Sequence, residues 1–310
     1  MSLYQRKKAQ FSKKRQILRM KKILTSTYEC IKLRHVRHMV ESSFEPQGDF
    51  EIWSIIILFR KKYNENDVVA WKLVQCLHKL MLHGHSRMRR FNDFRMEEIN
   101  KLHKIWACVK IGYGPIISVY SKYLCLKASF HYMYNEVDGA FNINDTNLKV
   151  MFQNSADFIF EFFEAVARLL NSSIIIMNAI LRKSFDISSS FGEYRFITFP
   201  IIYFIAEGSS LHRLTLISIS ELHKIADFSM LEIQRNNAKL LHDRLDIILC
   251  KARTEIPTLT TNWRELKLST PAEFFKDATH HYDEESDDTV ENNIPESPES
   301  QELPELELYL

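Results

Sequence analysis

The chain has 310 residues, with 41 Lys+Arg against 39 Asp+Glu and a formal net charge of +2. Apolar residues at 45% exclude a chain disordered throughout, and only 7 Gly and 8 Pro argue against turn-rich all-β folds and Gly-rich phosphate loops. The small total hides an asymmetry: residues 1–40 hold twelve Lys/Arg and one acid, whereas residues 273–310 hold thirteen acids and one Lys. A basic head, a balanced body and an acidic tail imply different surroundings for the two ends.

Residues 1–15 are polar and basic and read as a mobile leader. A helical pattern begins near Lys14, with Ile17, Met20 and Leu24 towards one face, and Thr25–Lys32 reads as a turn. A short helix is expected from His35 to about Glu41, before Pro46-Gln47-Gly48 breaks the chain. Phe50–Arg60 is apolar nearly all round and is expected deep in a core. Asp67 is placed to cap the next helix, which ends at Gly84 and carries Trp71, Val74, Leu77, Leu80 and Met81 at helical spacing.

Arg95–Lys110 and Ile116–Tyr134 form two more helices, and Asp145–Leu170, Ser172–Ser184, Phe196–His223 and Asp227–Lys251 continue the pattern. No alternating stretch is long enough to demand a sheet. The expected fold is all-α, a superhelical, solenoid-like stack of eight to ten helices without a fixed sequence repeat. After Thr254 a strapped-down segment is expected, anchored by Trp263 and Leu266, followed from about Tyr282 by an acidic, Ser/Pro-rich disordered tail.

Catalytic signatures are absent from this reading, so the chain is expected not to be an enzyme and to use no cofactor. No GxSxG, Walker-type loop or GxGxxG occurs. His83-Gly84-His85 lacks further ligands at metal spacing, and His242-Asp243 reads as a solvated helix face. Five scattered Cys without a CxxC read as reduced thiols of a cytosolic protein. The longest uncharged run, Leu169–Leu181, is too short to span a bilayer, and no apolar segment follows the basic start as in a secretory signal.

One segment does suggest chemistry. Arg19, Lys21, Lys22, Lys32, Arg34, His35, Arg37 and His38 crowd together with a single acid, Glu29. If Lys22 closes a first helix and Lys32 opens a second, their side chains converge on one corner. Lys offers a point charge, Arg a planar fork and His a donor that gains charge beside an anion. Charge alone indicates phosphate recognition and leaves lipid, nucleic acid or a merely solvated face open. Only Tyr28 supplies an aromatic there, fewer than base stacking wants.

At these residues the chain resembles an ANTH domain, whose lipid motif is Lys, nine residues, Lys, any residue, Lys or Arg, then His or Tyr. The sequence reads Lys22, nine residues, Lys32, Leu33, Arg34, His35. Trp71-Lys72 through Leu77-His78-Lys79, then Gly84-His85, is similar to a second family block, and Tyr113-Gly114, Tyr120–Leu124 and Lys127–His131 to a third. These blocks look most like the huntingtin-interacting-protein/Sla branch.

The resemblance covers about residues 16–270. It implies a helical phosphoinositide-binding domain there, which composition sets between a basic mobile N-terminus (1–15) and an acidic disordered tail (271–310). It also implies a peripheral adaptor of clathrin-mediated endocytosis, at coated pits and vesicles on the inner face of the plasma membrane. Its expected ligand is a phosphatidylinositol phosphate such as phosphatidylinositol 4,5-bisphosphate, not nucleic acid. Lys22, Lys32, Arg34 and His35 would contact phosphate, with Lys21, Arg37 and His38 as electrostatic support. Clathrin and F-actin enter by resemblance alone, because the branch's coiled coil and actin-binding domain have no counterpart before Leu310. Leu33 is expected to dip into the lipid interface. Charge arithmetic alone would let the tail fold back on the head and compete with lipid at low salt, whereas a free tail is the expected state at physiological salt. The rival classes are a basic helical nucleic-acid binder and a pure protein-interaction scaffold.

Overall fold

The structure, a computed structural model, describes residues 3–153, 155–185, 191–226, 228–256 and 268, with backbone alone for 3–12 and 228. Among the described residues it is all-α, with twelve α-helices, two 3-10 turns and no strand. The helices are α1 (Leu3–Ile23), α2 (Leu33–Ser43), α3 (Gly48–Leu58), α4 (Arg60–Glu65), α5 (Asp67–His83), α6 (Asp93–Ala107), α7 (Gly114–Met133), α8 (Asp145–Phe152), α9 (Ala156–Phe185), α10 (Phe191–Thr198), α11 (Ile201–His223) and α12 (Glu232–Glu255). Each packs mainly on helices near it in chain order: α2 on α1, α3 and α5, then α5 on α7, α7 on α9, and α9 on α11 and α12. That progression gives the solenoid-like stack.

Boundaries differ from the sequence reading where tertiary contacts or backbone conformation intervene. The segment read as a mobile leader is helical from Leu3 onward; Lys, Arg, Gln and Leu are good helix formers, so polarity does not prevent the helix. Asn66, not Asp67, caps α5, its side chain accepting from the Val69 amide at 2.9 Å. Asp67 instead accepts from the amides of Val68 and Tyr113. On α3, Ile52, Trp53, Ile55 and Ile56 are buried, but Phe50 is 67% and Leu58 63% exposed, so the helix is not apolar-buried all round.

The expected helix over Asp145–Leu170 breaks at Gln153, which takes a left-handed φ of 45° at the α8 C-terminus. The expected break before Ser172 does not occur, since Ser173 donates to the Phe204 carbonyl on α11 and Asn171 accepts from Arg244 on α12. Pro200 splits the expected Phe196–His223 helix into α10 and α11. Trp263, Leu266 and the acidic tail lie outside the described residues; Leu268 packs against the core.

The core contains a buried ionic cluster. Glu207 on α11, fully buried, accepts from His78 Nε2 on α5 at 2.8 Å and from Tyr123 and Lys127 on α7. Lys127 also donates to the Gly139 carbonyl at 2.6 Å. A carboxylate only accepts, so His78 Nε2 carries the proton and Nδ1 accepts from the Tyr120 hydroxyl at 2.7 Å. Burial alone would raise the Glu207 carboxyl, but His78 and Lys127 hold it at about 2. The cluster ties α5, α7 and α11 together. The loop after α7 approaches α5 so closely that a Cβ at Gly139 would lie 2.4 Å from the carbonyls of Met81 and Leu82.

Candidate functional site at the first inter-helix corner

The corner between α1 and α2 is built by burying its two ends. Met20, Ile23 and Leu24 enter the core from one side, and Ile31, Val36 and Met39 from the other. Residues 24–32 between them are non-helical. Three contacts hold this loop from below. Lys72 of α5 reaches up to donate to Thr25 Oγ1 at 2.6 Å. Cys30 Sγ donates to the Arg195 carbonyl of α10 at 3.7 Å. Tyr28 packs edge-on against Phe196 at 6.1 Å. At the far end of α2, Ser43 Oγ donates to the Val40 carbonyl and accepts the His85 amide, fixing the helix to the end of α5.

The four motif residues surround this loop. Lys22 occupies the last turn of α1 and Lys32 the N-cap position of α2; Arg34 and His35 follow in its first turn. Lys22, Lys32 and Arg34 are exposed. Among the described residues no carboxylate pairs with any of the three, and the first turn of α2 contains no acid. No side chain caps that turn, so its free N–H groups add to the positive potential. The three cations are thus open to an anion from solvent.

His35 differs from its expected role. It is 8% exposed, turned towards the core with Val36 and Met39, and its Nε2 has no hydrogen-bond partner. Burial, then Arg34, Lys22, Lys32 and His38, push its pKa below the usual histidine value. The imidazole is therefore neutral at pH 7 in the free protein rather than a standing charge. Lys22, Lys32 and Arg34 thus all act electrostatically on this one ring.

The supporting residues separate. Lys21 and Arg37 are exposed. His38 is engaged within its own helix, Nδ1 lying 2.9 Å from Glu41 Oε2. Leu33, expected to dip into lipid, is half-buried and packs in part against the core. At the other histidines, the described residues contain no group of three or more His, Cys, Asp or Glu able to hold a metal. His242 Nδ1 lies 3.1 Å from His212 Nε2.

Lys72 is the residue that sequence reasoning missed at this site. It is 1% exposed, and its ammonium also lies 5.6 Å from the centre of the Phe196 ring. Burial lowers its pKa to about 8, with Glu29 and Cys30 opposing and Lys32 adding to the fall. The tryptophan–lysine pair at 71–72 marks the position in the sequence. Only the packing shows that the side chain runs under the corner.

The family described as ANTH domain matches residues 30–254, which is more than half of the chain. The chain belongs to the ANTH domain family. Lys32, Arg34 and His35 fall inside the matched span of this ANTH domain, and Lys22 just before it. Such domains are non-enzymatic adaptor modules, and no helix among the described residues is long and apolar enough to cross a membrane.

The domain is 22% identical over 232 residues to "Huntington interacting protein related 1" of Caenorhabditis elegans, covering 74% of this chain and 25% of that protein. It is 23% identical over 226 residues to human Huntingtin-interacting protein 1, covering 71% and 21%. The chain thus spans a quarter or less of the length of these relatives. Among solved structures, the ENTH domain of epsin-2 in complex with phosphatidylinositol 4,5-bisphosphate superposes with a TM-score of 0.65 at 18% identity, covering 80% of this chain and 96% of that one. The endocytic adaptor complex AENTH superposes at 0.60 and 19% identity, covering 80% and 97%. At these identities the structural likeness concerns the helical fold.

Proposed function

We propose that this ANTH domain is a phosphoinositide-binding adaptor module of endocytosis that attaches reversibly to the inner leaflet of the plasma membrane. Lys22, Lys32 and Arg34 grip the phosphates of a headgroup such as that of phosphatidylinositol 4,5-bisphosphate, with the largely buried His35 imidazole beneath them. The observation that carries this reading is the corner itself: three exposed cations without carboxylate partners, set around a loop held rigid from below. Lys and Arg supply charge and directed N–H donors, and the unpaired imidazole supplies a group that becomes charged when an anion arrives. The epsin-2 ENTH domain, of the same fold, is a structure solved with that lipid bound.

Each cation near an anionic leaflet contributes on the order of 1 kcal/mol, so the corner supports peripheral, reversible attachment. Lys21 and Arg37 add general attraction. Links to clathrin and F-actin, which the resemblance to the huntingtin-interacting-protein branch suggests, would require surfaces other than this corner. Nucleic acid is the weaker alternative, because Tyr28 is the one Phe, Tyr or Trp between Arg19 and His38, fewer than stacking of successive bases wants.

Vesicle sedimentation tests the reading. Vesicles with phosphatidylinositol 4,5-bisphosphate should retain the protein better than phosphatidylserine vesicles of equal total charge, and Lys32→Glu/Arg34→Glu should abolish the difference. Equal retention on both vesicle types would leave only a generic basic patch. Competition by nucleic acid at equal phosphate concentration would favour the alternative.

A further inference from the structure

The basic corner and the exit of the chain from its last helix lie at opposite ends of the sequence, yet α10 joins them. Ile256, which follows α12, donates its amide to the Ala252 carbonyl. The carbonyl before it, on Glu255, is bonded by the Tyr194 hydroxyl of α10. The neighbouring residue, Arg195, supplies the carbonyl that accepts from Cys30, two residues before Lys32. Phe196, next again, packs against Tyr28. One turn of α10 therefore touches both the end of α12 and the loop that carries the corner.

We propose that the acidic tail, residues 283–310, docks on the corner formed by Lys22, Lys32 and Arg34 and competes there with anionic headgroups. The proposal rests on the reading of the corner as a phosphate-binding surface and adds its regulation. Charge complementarity selects this occupant: residues 283–310 carry eleven Asp/Glu and no Lys or Arg, facing three exposed cations that no described carboxylate pairs with. Position supports it. Leu268 packs against the core, and residues 269–282, which lie between it and the acidic segment, can extend up to roughly 50 Å.

Apolar matching adds to both. Leu18, one turn before Lys22, is 55% exposed, and Leu303, Leu306, Leu308 and Leu310 are interspersed with the last acids of the tail.

Carboxylates and phosphate oxygens make the same contacts with ammonium and guanidinium groups, so one excludes the other. The tail is covalently attached and acts at an effective concentration on the order of 1 mM, whereas a headgroup must be met at a membrane. A leaflet rich in multiply charged headgroups displaces the tail; a neutral or sparsely charged one does not. Salt screens the tail contact along with every exposed pair.

The test uses the full chain in two forms, native and with the eleven tail acids replaced by Asn or Gln. First, a labelled peptide of residues 283–310 is titrated into the neutral-tail chain without lipid and followed by fluorescence anisotropy. It should bind at low salt. Binding should fall about tenfold with Lys32→Glu/Arg34→Glu and stay unchanged with Lys61→Glu/Lys62→Glu, an equal charge change at exposed positions on α4. No binding, or equal loss in both pairs, overturns the proposal.

Second, the neutral-tail chain should sediment with phosphatidylinositol 4,5-bisphosphate vesicles about tenfold more tightly than the native chain at low salt, the gap closing near about 0.5 M. The readouts separate the two claims. Peptide binding at the corner with no vesicle binding keeps the docking and removes the lipid reading. Vesicle binding with no peptide binding removes the docking alone.

Discussion

At the scale of single residues, the corner combines cations that are always available with one that depends on pH. The free His35 imidazole titrates below its usual value because burial and then Arg34, Lys22 and Lys32 disfavour its charge. A bound phosphate reverses the balance and raises that pKa. Affinity for phosphatidylinositol 4,5-bisphosphate should therefore increase as pH falls from about 7.5 towards 5.5, by up to tenfold for each unit by which binding raises the pKa. His35→Gln should flatten the profile in vesicle binding measured across that range; an unchanged slope would assign the pH dependence elsewhere.

Lys72 invites a second test at this scale. Lys72→Met removes a buried ammonium, whose burial is costly, and at the same time frees Thr25. Thermal unfolding should show a midpoint close to that of the native chain. Headgroup affinity should drop severalfold, because the loop loses its support while Lys22, Lys32 and Arg34 remain. A loss of stability without loss of affinity would make Lys72 a purely internal residue.

At the scale of elements, the cluster on Glu207 binds three helices that are distant in sequence. Removing one partner leaves a buried charge uncompensated. Glu207→Gln should therefore destabilise the fold by on the order of 3 kcal/mol, measured by urea unfolding. The pH dependence has a definite sign. The folded carboxyl, at about 2, lies below its value in the unfolded chain. Its contribution is fully present above about 4.5 and is lost as pH falls towards 2. A variant without this carboxylate should show a shallower fall in stability through that window. The caps are a milder case: Asn66→Ala removes the acceptor for the Val69 amide and should cost about 1 kcal/mol in the same measurement.

At the scale of the whole molecule, the helices stack progressively from the corner at α1–α2 to α12, and α10 brings the last helix back against the first loop. The charge asymmetry follows the chain ends rather than its middle. Membrane attachment through such a surface should weaken steeply with ionic strength, since exposed charges are screened beyond about 8–10 Å at physiological salt. Sedimentation at rising salt checks this, and retention that does not change with salt would indicate apolar insertion instead.

The all-α class was legible from the sequence because apolar residues recur at helical spacing and Gly and Pro are scarce. The cationic motif was legible because its spacing needs only two helices and a turn. Local chemistry determines such features, and neighbours in sequence carry them. What depended on distant neighbours could not be read. The direction of His35, the inward packing of Leu33, the support from Lys72 and the pairing of Lys127 with Glu207 follow from which helices meet. The unbroken α9 and the break at Gln153 depend on contacts with α11 and α12 and on one left-handed residue. The sequence by itself determined that this protein is a helical stack with a basic corner. Only the tertiary structure decided which of its charges face solvent, because burial and partner choice are properties of the packed whole.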